Sequence, residues 1–302
     1  MKGFEMCGPI NRKFQEWQEW WNGGDENAVH AQIYWMMRNA AVFEVLRKGA
    51  ELAWSRSQQS AQLNWPVLDF IRFAYLDTQV AAISRLLDKR KDVISLVRLV
   101  CDIKEHCACL TRENILCARG LLSEFGSDLG SAHSSNGSIG SKQHESVEYA
   151  NKRIDELAGL SDGQKKPTDT VRQCVLDWLE GRLRDPALGE IVQYRHKFVA
   201  HASDPKTRKK QWKVASDFKM TFNKVKQAHE IICQTAAFLG DNILGGSAHV
   251  PHAEDVFEHW DKPLALDEDK EGAHTNYNEY KKKTRGWLDW DWQTEFKNRA
   301  RD

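Results

Sequence analysis

Apolar residues recur at three- and four-residue steps through most of the first 240 positions, and proline rarely interrupts them. In residues 27–54, Val29, Ile33, Met36, Met37, Ala40, Phe43 and Leu46 fall on one face of a helix. A second stretch opens at Asn64-Trp65-Pro66, where Asn64 can cap and the proline sits in the first turn. It runs on through Val67, Leu68, Ile71, Tyr75, Leu76, Val80, Ile83 and Leu87. Asp92 is placed to cap a third helix through Ile94, Leu96, Val97, Leu99 and Val100. Helical spacing continues in 111–125, 144–159 and 168–184. Asp185-Pro186 opens the next helix and Asp204-Pro205 ends it, because a residue before proline avoids the helical region. A long helix then covers about 211–240 and closes at Gly240. Nothing in 1–245 alternates as a strand of useful length, and the whole chain holds only seven prolines. The pattern predicts an all-α antiparallel bundle of about seven helices over 1–245.

Two regions stand apart. Within 126–143 the chain is Ser/Gly-rich: ten of the sixteen residues 126–141 are Gly or Ser, a flexible insertion with almost nothing to bury. Residues 246–302 form a C-terminal extension. Eight acidic and two basic residues in 254–271 are followed by a basic run from Lys281 to Arg285 and then by GWLDWDW at 286–292. Three tryptophans so close have a large apolar area to hide, so this tail is expected to dock on the bundle or on a partner subunit. A base-stacking platform is disfavoured, since the adjoining aspartates would repel phosphate.

Charge narrows the function classes. Forty-three basic and forty-three acidic residues cancel, which argues against a wholly basic nucleic-acid binder. No apolar run approaches the roughly 20 residues that span a bilayer, and the N-terminus lacks a signal-peptide stretch. A cytoplasmic protein with no membrane contact is expected. Seven cysteines, an odd number, do not suggest a disulfide framework. The cluster Cys101, His106, Cys107, Cys109 and Cys117 has no CxxC pair. On a helix, Cys107 and Cys109 would point about 200° apart, so buried thiols are read in preference to a metal site. No metal and no cofactor is expected, and no Gly-rich phosphate loop suggests an ATP-driven enzyme.

The segment 194–204, YRHKFVAHASD, concentrates chemistry-bearing residues on one short helix: Arg195, His196, Lys197 and His201. Directly after it, residues 204–226 carry eight basic side chains against two acidic ones, among them Lys206, Arg208, Lys209, Lys210 and Lys213. Such a run can guide a phosphate backbone or form a solvated helix face. Asp77 and Arg85 lie eight apart on an otherwise apolar helix, which suits a structural ion pair or cap.

The string RHKFVAHASD at 195–204 resembles the motif of the HEPN superfamily (higher eukaryotes and prokaryotes nucleotide-binding). That motif is an Arg, then four to six residues beginning with a polar one, then a His. Here Arg195 and His201 stand at its two defining positions and His196 is the polar neighbour. The string FIRFAYLDTQVAAISRLLD at 70–88 looks like a helix of the AbiU-like abortive-infection branch, and the resemblance covers roughly residues 25–240.

It implies a HEPN-like helical bundle and a metal-independent endoribonuclease with its site at a homodimer interface. Arg195 and His201, with His196 beside them, would be the catalytic residues; Lys197 and the lysines and arginine of 206–213 would contact RNA. Asp77 and Arg85 would support the site. Histidine suits proton movement because it titrates near neutrality, and arginine suits a developing phosphorane charge because its guanidinium stays charged and forks onto phosphate. On a straight helix, residues 195 and 201 lie about 9 Å apart along the axis and about 120° round it. A bend or a second copy across a two-fold axis would close the site. The alternatives are a HEPN-like binding subunit paired with an antitoxin or defence-complex partner protein, and a helical scaffold.

Overall fold

The computed structural model describes residues 9–56, 65–119, 121, 139–160, 165–199, 220–245, 270–288 and 290–299. Among them are eleven α-helices and no strand, only one isolated antiparallel bridge between Thr111 and Thr170. The fold is an all-α helical bundle. We number the helices α1 (Pro9–Asn22), α2 (Val29–Arg56), α3 (Trp65–Leu86), α4 (Leu96–Glu105), α5 (Arg112–Ala118), α6 (Ile139–Ala158), α7 (Gln173–Leu183), α8 (Pro186–Tyr194), α9 (Phe222–Leu239), α10 (Lys270–Leu288) and α11 (Trp292–Arg299).

Helix α9 is the centre. Thr221 caps it by accepting from the Lys224 amide at 3.3 Å, and from Val225 onward nearly every side chain is buried. A helix apolar on all sides must be covered on all sides, and α9 packs against α2, α3, α7, α8 and α10. Helix α1 had no place in the sequence reading. Its Phe14, Trp17 and Trp21 recur at helical spacing, are buried, and pack it on α2, α4 and α5. The Trp17 indole also donates to Asp102 at 2.6 Å.

Several helix bounds differ from those expected. Helix α4 is capped by Ser95, not Asp92: the fully buried Ser95 hydroxyl accepts from the Arg98 amide and donates to the Asp88 carbonyl, which closes the loop from α3. Helix α6 begins at Ile139, inside the expected Ser/Gly insertion, whose residues 126–138 lie outside the described residues; burial of Val147, Ala150, Ile154 and Leu157 anchors the helix. Helix α5 stops at Ala118 and α7 starts only at Gln173. The loop before α7 is held by the fully buried Arg112, whose guanidinium meets Asp155, Asp169 at 3.1 Å and Asn151 at 2.7 Å. Met220 and Thr221 precede α9 as non-helical residues, and residues 211–219 lie outside the described residues. Gly240 stays right-handed and opens a wider π turn, Gly240–Leu244. The stop is Gly245, whose φ of +73° only glycine adopts without strain.

The tryptophan-rich tail docks on the bundle. Trp178 stacks on Trp290 with centroids 5.3 Å apart, and Trp292 meets Phe238 edge-on at 4.9 Å. Arg182 spans the seam, pairing with Glu295 at 2.6 Å beneath the Trp290 ring.

The cysteines correct two expectations. Cys107–Cys109 form a 3-10 turn, not part of an α-helix. Among the described free thiols only Cys233 is buried; Cys101, Cys107 and Cys109 are half-buried, Cys174 is exposed, and Cys117 is disulfide-bonded. Among the described residues no three His, Cys, Asp or Glu side chains gather as a metal site would need. No described helix is long and apolar enough to cross a membrane.

Candidate functional site

The sequence places Arg195 with two devices. Asp185 caps α8 by accepting from the Ala187 amide at 2.9 Å, with Pro186 in the first turn, and Leu188 and Ile191 bury the inner face of the helix. The α-helical part ends at Tyr194, and residues 200–204, where the sequence places the helix end, lie outside the described residues. Residues Arg195–Val199 form a π turn, a local widening common at functional positions. This changes the helical phase at the first residue of the motif, so the spacing computed for a straight α-helix does not apply from Arg195 onward.

Arg195 is half-buried and stands in the wall between two open chambers of about 920 and 420 Å³. Both chambers also share Asp88 and Arg90 from the loop after α3. Arg90 grips Asp88 through Nε at 3.1 and 3.2 Å and through its terminal nitrogen at 3.0 Å. Burial pushes the Asp88 carboxyl upward, but hydrogen bonds from Arg90, with the charges of Arg90 and Arg195, outweigh it and hold its pKa below the ordinary value. Asp88 thus stays anionic between two cations.

His196 is exposed and lines only the larger chamber. Lys197 is half-buried, one residue further along the π turn. Arg85 reaches the smaller chamber from α3, beside Arg195, with Asp25, Asn27, Gln32 and Asp92 completing the polar wall. Asp77 is exposed, and its charge, added to burial, raises the Tyr194 pKa. The structural ion pair expected between Asp77 and Arg85 is not formed: both are exposed, and eight residues of helix put them about 12 Å apart along the axis. Only Arg85 joins the chambers.

His201, Lys206, Arg208, Lys209, Lys210 and Lys213 lie outside the described residues. Two members of the basic run serve the fold instead of a ligand. Lys224 pairs with Glu190 at 2.6 Å, and Lys226 with the buried Glu44 at 2.6 Å.

Sequence reading passed over Asp25, Asn27, Gln32 and Arg90. The charge run Asp88-Lys89-Arg90-Lys91-Asp92 at a helix exit was a visible signal for Arg90. Gln32 gave none, since one of its partners is a carbonyl 62 residues away. Away from the chambers, the first half of α3 and the π turn leave aromatic side chains in water: Phe70 is 71% exposed, Phe73 67% and Phe198 40%. Arranged together, the groove offers guanidinium groups for an anion and carboxylate and amide acceptors for a donor. No family model, no curated protein and no solved structure matches this chain.

Proposed function

We propose that the chain is a metal-independent endoribonuclease, a toxin or antiviral defence effector that cleaves RNA by 2′-hydroxyl attack at a homodimer interface. The observation that carries the reading is Arg195, held in the wall of a polar groove with Arg85 and Arg90. Guanidinium groups so placed can fork onto a phosphodiester and stabilise the phosphorane that forms when the 2′-oxygen attacks. His201, six residues on, would move the proton, as the resemblance implies. The aromatic face at Phe70, Phe73 and Phe198 lies on the elements that carry the groove and would be covered by the second copy.

That same face supports a second reading, in which a different protein covers it and the chain is the binding subunit of a toxin–antitoxin or defence complex. Purified protein in EDTA with labelled total RNA tests the first. Cleavage that leaves 2′,3′-cyclic phosphate ends, lost in folded Arg195→Ala and His201→Ala, is the expected result. Absence of cleavage by a wild-type dimer would sink it and favour the binding subunit.

A further inference from the structure

The second half of α2 and the first half of α3 part around a slot of about 400 Å³. The smaller chamber beside Arg195 takes Gln32 from the first turns of α2 and Arg85 from the last turn of α3, so the slot lies at the other end of both helices. On α2, Phe43, Arg47, Ala50 and Trp54 follow at steps of three and four and share one face, which looks across at Trp65, Leu68 and Arg72 of α3. Ala50 stands midway along that face with a single methyl, which leaves space that no described side chain fills. Aromatic rings close both ends. At the inner end the buried Phe43 stacks on Phe222 with centroids 5.1 Å apart, and at the outer end Trp54 meets Trp65 edge-on at 5.5 Å. Trp65 is 51% exposed, so the outer end opens to solvent.

The charged groups on the walls are already matched. Arg47 pairs with Glu44 at 2.9 Å and also with Glu51, and Arg72 pairs with Asp69 at 3.5 Å while lying over the Phe222 ring at 5.8 Å. The two guanidinium groups and two carboxylates that line the slot cancel. A charged ligand finds no unmatched partner there, and one that broke these half-exposed pairs would gain little. An uncharged ligand gains in proportion to the apolar area it takes out of water. The volume lies at the lower end of ligand pockets, which run from about 300 to 1,000 Å³, and suits a molecule of two fused rings. A flat ring is favoured over a saturated one, because aromatic pairs gain from offset stacking and edge-on contact beyond the area they bury.

We propose that this slot binds a small, uncharged, planar aromatic molecule, held between the Phe43–Phe222 stack and the Trp54–Trp65 pair. The site is separate from the groove at Arg195 and does not depend on the nuclease reading. A bound ring supplies the contacts that Ala50 leaves unmade and so holds α2 against α3.

Calorimetric titration of the full chain with 2-naphthol, a neutral two-ring probe, tests this. Binding is expected with a dissociation constant of about 1 mM or tighter, as suits a molecule of this size. The fully saturated analogue, decahydro-2-naphthol, should bind at least about threefold more weakly. Ala50→Phe, which puts a ring of the protein's own into the slot, should abolish binding while the helical circular dichroism is kept. Trp54→Ala should weaken binding about fivefold or more. Trp35→Ala, which removes an exposed tryptophan near the start of α2, should change nothing. No binding by the wild type, equal binding of the saturated analogue, or binding that survives in folded Ala50→Phe and Trp54→Ala would each overturn the site. Should Ala50→Phe not fold, Trp54→Ala and the comparison of the two probes still decide. Light scattering covers the remaining occupant: no probe bound by the wild type, with a lower mass for folded Ala50→Phe, would give the slot to a second copy and overturn the proposal.

Discussion

Asp88 and Arg90 are bound through two guanidinium nitrogens at 3.0–3.2 Å in the loop that leaves α3, and Arg195 adds its charge to the same carboxylate from α8's π turn. The backbone of the same loop is tied in turn: the Arg90 amide donates to Asp88 at 3.0 Å, and Ser95 donates to the Asp88 carbonyl. Asp88 therefore fixes Arg90, while Arg195 acts on Asp88 only through its charge. Asp88→Asn keeps the shape and removes the charge that holds Arg90 and faces the field of Arg195. RNA cleavage is expected to fall about tenfold or more, equivalent to roughly 1.4 kcal/mol of transition-state stabilisation. Its effect on stability at pH 7 should be small, because Arg90 stands in solvent. Because the folded pKa is depressed, this contribution is present above the unfolded carboxylate value near 3.9 and lost as pH falls through the folded one. Urea midpoints of wild type and variant should differ at pH 7 and converge as pH falls through the depressed folded value.

Phe70 and Phe73 stand largely in water on α3, whose buried residues, Tyr75, Gln79, Val80, Ile83, Ser84 and Leu86, lie further along the helix. Aromatic side chains clustered in water mark an interaction surface, and Phe198 and Val199 extend the apolar surface onto the π turn. The double variant Phe70→Glu/Phe73→Glu is expected to convert a dimer to a monomer in light scattering. Its unfolding free energy should stay within about 0.5 kcal/mol for the isolated subunit, as for other surface changes. Leu160→Glu, 42% exposed just beyond α6, is the control that should leave the dimer intact. A dimer unmoved by both changes would place the interface on another face.

Much of this architecture was legible because it depends on local chemistry. Asp185-Pro186 specified the start of α8, and the clustered tryptophans of 286–292 announced a docked segment, since their area had to go somewhere. What escaped depends on distant partners. Ser95 outcompetes Asp92 as the α4 cap because its hydroxyl also reaches the Asp88 carbonyl seven residues back. The residues before α7 are drawn out of helix by backbone bonds to the α5 region, Arg112 to the Asp169 carbonyl at 2.8 Å and Val171 to the Leu110 carbonyl at 3.1 Å. At the candidate site, Arg195 and His196 stood out in sequence as part of the string at 195–204. Gln32 acquires its meaning only when Ile94 folds against it.

Arg112 is the largest buried charge in the bundle, with no exposed side-chain surface, and its partners Asp155 and Asp169 come from α6 and the loop before α7. Its value lies in joining three segments that sequence distance keeps apart. Arg112→Met leaves two carboxylates and the Asn151 side chain without their cation, and breaking a buried pair from one side costs about 3–5 kcal/mol. The midpoint of urea unfolding should drop accordingly. Adding Asp155→Leu and Asp169→Leu should recover part of the loss, because the stranded charges are then gone. A loss below about 1 kcal/mol in the single variant would mean water already reaches this cluster.

His229 gives the fold a pH dependence whose sign can be worked out. It is fully buried on α9, and its Nε2 lies 2.8 Å from Gln79 Oε1. The Gln79 amide nitrogen donates to the Met36 carbonyl at 3.2 Å, so its oxygen faces the ring and Nε2 carries the proton. Burial, aided by the Lys226 charge and opposed by Glu44, pushes the imidazole pKa down to about 3. The unfolded chain, with histidine near 6.5, therefore binds a proton that the folded chain refuses between those values. Stability is full above about pH 6.5 and falls by up to about 1.4 kcal/mol per pH unit on acidification toward the folded value. Urea unfolding of wild type and His229→Gln across pH 7 to 4 isolates this effect. The variant is expected to be less stable at pH 7, because its longer amide must fit the ring's place, yet to show a shallower slope on acidification. Equal slopes would mean that His229 gains a proton without unfolding, which requires Gln79 to turn or water to enter between α3 and α9.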